Sequence, residues 1–369
     1  MGDRVERAID RAISEKRLVG TAILIAVDGK VTYRGVKGYF DREAGTPMRE
    51  DAIFRLASVT KPMVAATALA LVERGTLGLD DTVATYLPAF RPKLADGSQP
   101  DMTIRHLLTH TAGLGYPSAE SDDVYRRLGV SSGLDQPGRR MDDNLAHLAQ
   151  APLYFAPGTA WRYGMNIDVL GAIIAKVHGG TLADAVATYV TKPLGMADTA
   201  FRVTDKARLA VPYGDGKPEP IRMGEPHVMA DGGIFSPARI LDETSFQSGG
   251  AGMAGTAGDF LKFLEAIRTG GGPILKPATV ALATQNHIGS LAREAKDAGW
   301  RFGFLCAVLA DPKAAKSPAP VGTLQWGGAW GHTWFIDPVA KMSVAAFTNT
   351  AMEGCDGPFT VDLRDAIYG

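Results

Sequence analysis

The chain has 369 residues, of which 39 are Lys or Arg and 40 are Asp or Glu, and its formal net charge is −1. This balance lacks the excess of positive charge that binders of nucleic acids and anionic membranes carry. Apolar residues make up 46% of the chain and charged residues 21%, which is typical of a soluble globular protein. At roughly 150 residues per domain, the length predicts two domains.

The sequence contains no apolar run long enough to cross a membrane. The longest such run, Met63 to Val72, is interrupted by Thr67 and is much shorter than the roughly 18 residues of a membrane span. The amino terminus carries charges of alternating sign and no apolar segment, so we expect no secretion signal. We expect the two cysteines, Cys306 and Cys355, to be buried free thiols. These features together predict a cytoplasmic protein.

The first part of the chain alternates between helical and strand-like patterns. Asp28-Gly29 separates two β-rich runs and predicts a two-residue hairpin, because a type I′ turn needs positive φ at both central positions. Gly75 follows a long apolar helical pattern, at the position where a left-handed glycine most readily ends a helix. The predicted elements are a helix at 5–17, strands at 21–27 and 30–33, and a helix at 58–74.

The middle of the chain, from residue 79 to residue 231, is rich in helical patterns separated by loops dense in Pro, Gly and Asp. At Thr256 the sequence Thr-Ala-Gly-Asp predicts another helix start, with Asp259 completing a capping box. The carboxy-terminal part returns to strands and ends in a helix. The predicted elements are helices at 103–108, 141–150, 167–178 and 182–190, then strands at 302–309, 322–326, 333–336 and 342–349, and a helix at 359–366.

Strands at both ends of the chain, with helices between them, predict an α/β protein of the α+β type. Its antiparallel sheet would be flanked by helices. The sheet would belong to one domain made of residues 1–80 and 232–369, and residues 81–231 would form an inserted, mainly helical domain.

Ser58 and Lys61 form the most informative local pattern. Three residues apart on a helix, they share one face, with about 5–6 Å between their Cβ atoms. Ser58 would lie at the helix amino terminus, and Pro62 is compatible with a helix that begins here. A partly desolvated lysine amine can hold or accept the proton of a serine hydroxyl, which makes that hydroxyl a nucleophile. The alternative is a helix-capping serine beside an unrelated surface lysine.

The flanking sequence extends this pattern over nearly the whole chain. Residues 54–62, which contain Ser-x-x-Lys, and residues 103–114 resemble the superfamily of serine β-lactamases and penicillin-binding proteins. With the blocks at 153–158, 248–253 and 324–328, the chain is most similar to the family VIII carboxylesterases, which share the class C β-lactamase fold but act on esters. The resemblance implies a β-lactamase/transpeptidase-like fold.

The same resemblance implies that Tyr163 is the general base, which takes the proton of Ser58 and later delivers it to the leaving alcohol. An ordinary phenol is almost fully protonated at pH 7, and a neighbouring ammonium such as that of Lys61 favours its phenolate form. Class C β-lactamases have Tyr-x-Asn here, whereas this chain has Met165 and places the asparagine one residue later, at Asn166. The shift puts in doubt an amide contact to a β-lactam side chain. The alternative for Tyr163 is a core tyrosine with a satisfied hydroxyl.

Trp326-Gly327-Gly328 falls where β-lactamases carry Lys-Thr-Gly on the strand beside the active site. An indole replaces the lysine that would bind a substrate carboxylate, which favours uncharged esters over penicillins. The two glycines would let substrate approach the strand backbone closely. The resemblance further implies an oxyanion hole made by the backbone N–H groups of Ser58 and Ala329, and each such donor can stabilise a transition state by about 3–4 kcal/mol.

The roles of one tyrosine and three histidines stay open. Tyr116 follows Gly-Leu-Gly and would either line the substrate pocket or be a buried aromatic residue. His106 and His110 are four residues apart, but Leu107 stands where a zinc-protease motif needs Glu, which favours structural histidines. His332 is near the Trp-Gly-Gly motif in the sequence, but no acidic partner for a catalytic triad is evident.

Two glycine-rich segments match the residue patterns of known functional motifs but lack the flanking strands that those motifs require. Residues 129–133 match the Gly-x-Ser-x-Gly pattern of lipases, yet they lie between polar segments rather than between a strand and a helix. Residues 250–255 match Gly-x-Gly-x-x-Gly but follow no apolar strand, which argues against dinucleotide binding. We interpret both as glycine-rich loops.

These observations predict a serine carboxylesterase that forms an acyl-enzyme on Ser58, with Lys61 and Tyr163 as its proton-transfer pair. Its expected substrates are small-molecule, short-chain esters. No metal, organic cofactor, nucleic acid or membrane partner is implied, and the oligomeric state is open. Weak β-lactam hydrolysis and acyl transfer to another alcohol are compatible with the same acyl-enzyme. The alternatives are a β-lactamase or D-alanyl carboxypeptidase of the same fold, and a non-catalytic penicillin-binding-like module.

Overall fold

The computed structural model describes residues 1–117, 123–214, 216–294 and 297–369. The strands are β1 (Gly20–Val27), β2 (Lys30–Asp41), β3 (Thr46–Pro47), β4 (Phe54–Arg55), β5 (Tyr213–Gly214), β6 (Ile221–Arg222), β7 (His227–Val228), β8 (Ile234–Phe235), β9 (Ala254–Gly255), β10 (Trp300–Phe302), β11 (Ala307–Leu309), β12 (Leu324–Gly328), β13 (His332–Asp337) and β14 (Met342–Thr348).

The α-helices are α1 (Gly2–Ser14), α2 (Thr60–Glu73), α3 (Val83–Tyr86), α4 (Ile104–Leu108), α5 (Val124–Arg127), α6 (Met141–Gln150), α7 (Asn166–His178), α8 (Leu182–Val186), α9 (Ala257–Arg268), α10 (Pro277–Ala283), α11 (Glu353–Asp356) and α12 (Pro358–Tyr368). Short 3-10 helices span Ala57–Val59, Lys206–Arg208 and Arg239–Leu241.

The central sheet has eight strands in the order β10-β11-β12-β13-β14-β1-β2-β3, and its pairs are antiparallel. The last strand, β14, pairs with the first, β1, from Thr21 opposite Thr348 to Val27 opposite Met342. The sheet is therefore built from both ends of the chain. The predicted fold class, an antiparallel sheet flanked by helices, is confirmed.

The hairpin between β1 and β2 forms at the predicted dipeptide. Asp28 has a φ of +48° and Gly29 a φ of +81°, as a type I′ turn requires. This local geometry sets the pairing of the two strands, which begins with Val27 opposite Lys30.

The two faces of the sheet are covered by different helices. Side chains alternate along a strand, so Ile23 and Ile25 of β1 point to one face, where they pack with α1 and α12. Ala22, Leu24 and Ala26 point to the other face and belong to the main core, where α9 covers the sheet. The first and last helices thus close one face, and the other face is left for the helices that carry the site.

Helix α2 lies in the middle of the main core. All of its residues from Thr60 to Leu71 are buried, so it is apolar on every side rather than amphipathic. It contacts α7 and α8, and the chain leaves it at Gly75, whose φ of +70° is the left-handed conformation predicted there. Because α2 is enclosed, the turn before it is held firmly between the sheet and the helical part of the chain.

The predicted strand at 302–309 is wrong, because this segment forms two strands. In the turn between β10 and β11, the N–H of Gly303 donates to the carbonyl of Cys306 at 2.9 Å. A Cβ on Gly303 would lie 2.5 Å from the carbonyl oxygen of Ala283, so only glycine fits at this turn. Smaller differences affect two helices: the predicted helix 5–17 begins and ends three residues earlier, and the helix starting at Leu182 becomes π-helical over Ala187–Thr191.

The capping box predicted at Thr256 is half formed. The Thr256 side chain accepts from the Asp259 backbone N–H at 3.1 Å, as expected for a helix cap. The Asp259 carboxylate is used elsewhere, since it accepts from the backbone N–H of Asp198 at 2.8 Å and from Lys262 at 2.8 Å. This carboxylate therefore ties the start of α9 to a distant loop.

No single helix in the described ranges is long and apolar enough to span a membrane. Only the bent pair Asn166–His178 and Leu182–Thr191, which meet at 80°, reaches that length and composition when taken together.

Candidate active site

Ser58 lies in the 3-10 turn Ala57–Val59 that leads into α2, rather than in the first turn of the α-helix itself as predicted. The preceding residue, Ala57, is fully buried and has a φ of +44°, in the left-handed region that residues with a side chain rarely adopt. Strain of this kind persists only where surrounding packing fixes it, and it is common at functional sites. The turn presents the half-buried Ser58 hydroxyl to two cavities.

The Ser58 hydroxyl is the meeting point of the three predicted catalytic side chains. The ammonium of Lys61 donates to Ser58 Oγ at 3.1 Å, and the hydroxyl of Tyr163 donates to the same atom at 2.6 Å. Residues 58 and 163 are distant in the sequence, so this contact depends on how the helical middle of the chain packs on α2. The structure therefore brings together the side chains that the sequence predicted to be one cluster.

Lys61 is only 3% exposed, which is unusual for a lysine. Its ammonium also donates to the carbonyl of Gly250 at 2.8 Å. It lies 4.7 Å from the ring centroid of Tyr163 and 5.5 Å from that of Tyr116. These contacts replace the water that the ammonium loses on burial, and they fix its position beside Ser58.

The ring of Tyr163 is held in an aromatic cluster. It lies 4.9 Å from the ring of His110, 5.2 Å from that of Trp326 and 5.4 Å from that of Tyr116. The side chain of Asn166 contacts His110 Nδ1 at 2.9 Å. Burial, helped by the charge of Lys61, holds the pKa of His110 well below its usual value, which favours the neutral imidazole beside Tyr163.

The glycines of the Trp-Gly-Gly motif also allow close packing within the protein. A Cβ on Gly328 would lie 2.3 Å from the carbonyl oxygen of Leu56, two residues before Ser58. A Cβ on Gly327 would lie 2.7 Å from the carbonyl oxygen of His332. The glycines thus allow β12 to pack against the turn that carries Ser58, and Ala329, which follows β12, reaches the cavities beside Ser58.

Two cavities meet at Ser58, Tyr163 and Ala329, which line both. We call the first the aromatic cavity; it has a volume of about 300 Å³. Its walls include Trp161, Arg293, Trp300, Trp326, Gly327 and Cys355. We call the second the loop cavity; it has a volume of about 310 Å³. Its walls include Tyr116, Arg126, Val130, Leu134, Arg139 and Phe235.

The aromatic cavity contains a cation that the sequence reasoning missed. The guanidinium of Arg293 lies 4.7 Å from the ring centroid of Trp161 and 5.4 Å from that of Trp326, and it pairs with Asp297 at 3.0 Å. Its side chain is 4% exposed, and burial lowers the pKa of Arg293. The rings and Asp297 cover this charge. No local motif marks Arg293, because the rings of Trp161 and Trp326 that cover it come from two distant segments.

Tyr116 combines the two roles left open for it. It lines the loop cavity, and its ring contacts both Tyr163 and the ammonium of Lys61. Burial raises the pKa of Tyr116, and the neighbouring Tyr163 and Asp168 add to this effect. Asp168 is a second residue that sequence reasoning missed. The available signal was weak: an acidic residue in the first turn of an apolar helix.

The remaining motifs have structural surroundings. Ser131, in the Gly-x-Ser-x-Gly sequence, is buried in a loop and donates to the carboxylate of Asp135. His332 is fully buried and contacts the backbone carbonyl of Arg55 at 2.6 Å through Nε2; burial lowers its pKa to about 4. His106 belongs to a capping box with Thr103 at the start of α4.

The prediction for the cysteines holds for one of them. Cys306 is 1% exposed, and burial raises the pKa of its thiol. The prediction is wrong for Cys355, which is half-buried at the aromatic cavity, because α11 places it against β12 at the cavity wall.

Comparison with known proteins agrees with this arrangement. Residues 5–363 match the family model described as Beta-lactamase, so the chain belongs to the beta-lactamase family. It is 50% identical to Esterase EstB of Burkholderia gladioli, over 99% of this chain and 94% of that protein. The chain is thus an enzyme of the esterase group within this family, and the predicted resemblance to its carboxylesterases is confirmed.

Solved structures show the same fold over the full length. The structure of EstCE1, described as a hydrolase with promiscuous acyltransferase activity, matches with a TM-score of 0.95 and 46% identity, covering 100% of this chain and 98% of that one. Simvastatin synthase (LovD) from Aspergillus terreus matches with a TM-score of 0.77 and 23% identity over 99% of this chain and 97% of that one, a similarity of fold.

Proposed function

We propose that this enzyme hydrolyses short-chain carboxylic esters of small molecules through an acyl-enzyme on Ser58. The observation that carries the proposal is the pair of hydrogen bonds to Ser58 Oγ, from Lys61 at 3.1 Å and from Tyr163 at 2.6 Å. A serine hydroxyl needs a nearby group that takes its proton, and these two side chains are the groups in contact with it.

In the acylation step, Lys61 and Tyr163 act as one proton-transfer pair. Both side chains donate to Ser58 in the arrangement seen, so the pair must first lose one proton, which leaves a phenolate or a neutral amine. The pair then takes the proton of Ser58 as Oγ attacks the ester carbonyl. When the tetrahedral intermediate collapses, the bond to the alcohol oxygen breaks, and the same proton passes to the leaving alcohol.

The negative oxygen of the tetrahedral intermediate would be bound by the backbone N–H groups of Ser58 and Ala329. The observation that supports this oxyanion hole is the close packing of β12 on the turn that carries Ser58. Gly328 permits this packing because it has no Cβ. Hydrogen-bond donors fixed before the reaction need no rearrangement as charge develops. In the second half of the cycle, a water molecule gives one proton to the pair as its oxygen attacks the acyl carbonyl. When this second intermediate collapses, the bond between the acyl carbon and Ser58 Oγ breaks, the proton passes from the pair to Oγ, and the acid is released.

The wall of the aromatic cavity favours uncharged esters over β-lactams. Trp326 offers an indole where a β-lactamase-type site needs a cation for the substrate carboxylate. Arg293, the cation among the described residues that line the same cavity, is covered by aromatic rings and paired with Asp297. Each cavity, at about 300 Å³, is at the small end of the range for ligand sites, which fits one short half of an ester.

The test compares two substrates with the same enzyme. We expect p-nitrophenyl butyrate to be hydrolysed with a kcat/KM at least about 10²-fold higher than that for a chromogenic cephalosporin, because Trp326 stands where a β-lactamase-type site has the lysine that binds the carboxylate. A fluorophosphonate should label Ser58, as seen by mass spectrometry of the peptide, and the Ser58→Ala variant should not be labelled. Faster turnover of the cephalosporin would favour a β-lactamase instead. Absence of labelling at Ser58 would favour a non-catalytic module.

A further inference from the structure

A buried carboxylate is linked to Lys61 through Gly250. Asp168, in the first turn of α7, is 1% exposed. One of its oxygens, Oδ1, accepts from the hydroxyl of Ser248 and from the backbone N–H of Gly250 at 3.2 Å. Its other oxygen, Oδ2, has no hydrogen-bond partner among the described residues. A buried carboxylate with one oxygen left unsatisfied is costly to keep in a fold, so its retention needs a reason.

Gly250 is hydrogen-bonded both to Asp168 and to Lys61. The carbonyl of Gly250 accepts from the Lys61 ammonium at 2.8 Å, while the N–H of Gly250 donates to Asp168. The motif that begins at Ser248 makes this contact possible through its glycines. A Cβ on Gly249 would lie 2.3 Å from the carbonyl oxygen of Ile167, and one on Gly250 would lie 2.5 Å from Asp168 Oδ2.

We propose that Asp168 is a positioning residue that acts through Lys61: it fixes Gly250 and supplies the buried negative charge that balances the Lys61 ammonium. This inference rests on the proposed function, in which Lys61 shares a proton with Tyr163. A negative charge in a desolvated site favours the charged form of a neighbouring ammonium. Asp168 thereby decides at which pH the pair can lose the proton that must leave before Ser58 attacks.

The charges around Asp168 come from several elements. The positive charges of Lys61 on α2 and of Arg239 on the 3-10 helix Arg239–Leu241 lower the pKa of Asp168. The charge of Asp168 in turn raises the pKa of Tyr116. Arg239 is itself held by backbone carbonyls, among them that of Gly133 at 2.9 Å. Burial raises the pKa of Asp168, and Lys61 is the largest of the contacts that oppose this rise. Lys61 is also the one of these groups that contacts Ser58.

The test is the pH profile of kcat/KM for p-nitrophenyl butyrate, measured on the wild-type protein and on Asp168→Asn. The asparagine oxygen can keep both hydrogen bonds of Oδ1 while the charge is removed. Without that charge the pair loses its proton more readily, so we expect the acid limb of the profile to move to lower pH by about 1 unit. The pH dependence of the rate of fluorophosphonate labelling should move in the same direction.

Ser248→Ala is the matched control, because it removes one hydrogen bond of Asp168 and keeps its charge. We expect this variant to lose activity on the plateau while its acid limb stays at the wild-type pH. An acid limb of Asp168→Asn that coincides with that of the wild type would overturn the inference. A wild-type protein that neither turns over the ester nor is labelled would instead overturn the proposed function.

A second variant keeps the inference testable if Asp168→Asn does not fold. In Gly250→Ala, the new Cβ would clash with Asp168 Oδ2 and push the carboxylate away from residue 250, whose carbonyl contacts Lys61. The acid limb of this variant should therefore also move to lower pH. Gly258→Ala is the control, because the nearest atom to its Cβ would be 3.8 Å away, and it should leave the profile unchanged. A wild-type profile in Gly250→Ala would contradict the role assigned to Asp168.

Discussion

The two cavities that meet at Ser58 are similar in size but different in construction. The walls of the aromatic cavity include Trp300 and Trp326 of the sheet and Trp161 of the helical part of the chain. The walls of the loop cavity come mostly from loops, among them Gly129, Val130, Ser132, Leu134, Asp135 and Gln136, together with the short strand β8. An ester has two halves, an acyl group and an alcohol. If the proposed function holds, we expect each half to be recognised by its own wall and the chemistry to depend on the residues that both cavities share.

The largest expected effect tests the shared residues. Ser58→Ala removes the nucleophile, so we expect turnover to fall by at least about 10³-fold for every ester, whichever half is varied. The measurement is a p-nitrophenyl ester chain-length series together with a series of acetate esters of different alcohols. Circular dichroism should show a folded variant. If Ser58→Ala kept its turnover for either series, Ser58 would not be the nucleophile that both cavities share.

Tyr163→Phe should have the next largest effect. It keeps the ring contacts with His110 and Trp326 but removes the hydroxyl that contacts Ser58, so kcat should fall by at least about 10²-fold while KM changes little. The loss should be equal for the acyl and the alcohol series, since this residue lines both cavities. A change confined to KM would make Tyr163 a binding residue and not a member of the proton-transfer pair.

A pair of wall variants tests the difference between the cavities directly. Trp326→Ala opens the aromatic cavity, and we expect KM to rise about 10-fold, equivalent to about 1.4 kcal/mol, for the ester series whose variable half occupies that cavity. Leu134→Ala is the matched change in the loop cavity and should affect the other series. If both variants changed the same series to the same extent, the assignment of one wall to each half of the ester would fail.

The smallest effect concerns His332, which packs behind the shared end of β12. Its folded pKa of about 4 lies below the ordinary value of 6.5, so the unfolded chain binds the proton more tightly and stability is lost as pH falls from 6.5 towards 4. Between pH 7.5 and pH 5.5 we expect the free energy of unfolding to drop by about 1 kcal/mol from this residue. Urea unfolding at the two pH values measures it, and His332→Phe should reduce the difference. Equal stability at both pH values would contradict the cause assigned to this pKa.

The sequence predicted correctly those features that depend only on residues close together in the chain. The Asp28-Gly29 turn and the end of α2 at Gly75 depend on the backbone freedom of one or two residues, and both formed as expected. The partial failure at Thr256 has the opposite cause. The Asp259 carboxylate does not bond to the helix cap but accepts from the backbone N–H of Asp198, and this partner is close only in the folded chain.

Asp168 and Arg293 show the same limit at the site. Asp168 matters through Gly250, 82 residues away in the sequence, and no spacing rule connects the two. Arg293 is covered by the rings of Trp161 and Trp326, which come from the helical part and the sheet. A single charged residue in a sequence gives no sign of which distant groups will surround it.

The sequence by itself determined the turns, most helices, the Ser58 and Lys61 pair and, through family resemblance, the class of enzyme. These features depend on residues that are close in the chain or on motifs that keep their spacing. Only the tertiary structure decided the geometry with which the hydroxyl of Tyr163 contacts Ser58, the two cavities beside that serine, and the link from Lys61 through Gly250 to a buried carboxylate. The physical reason is that these contacts join segments that meet only when the main core is packed, and burial then sets the electrostatics of each group.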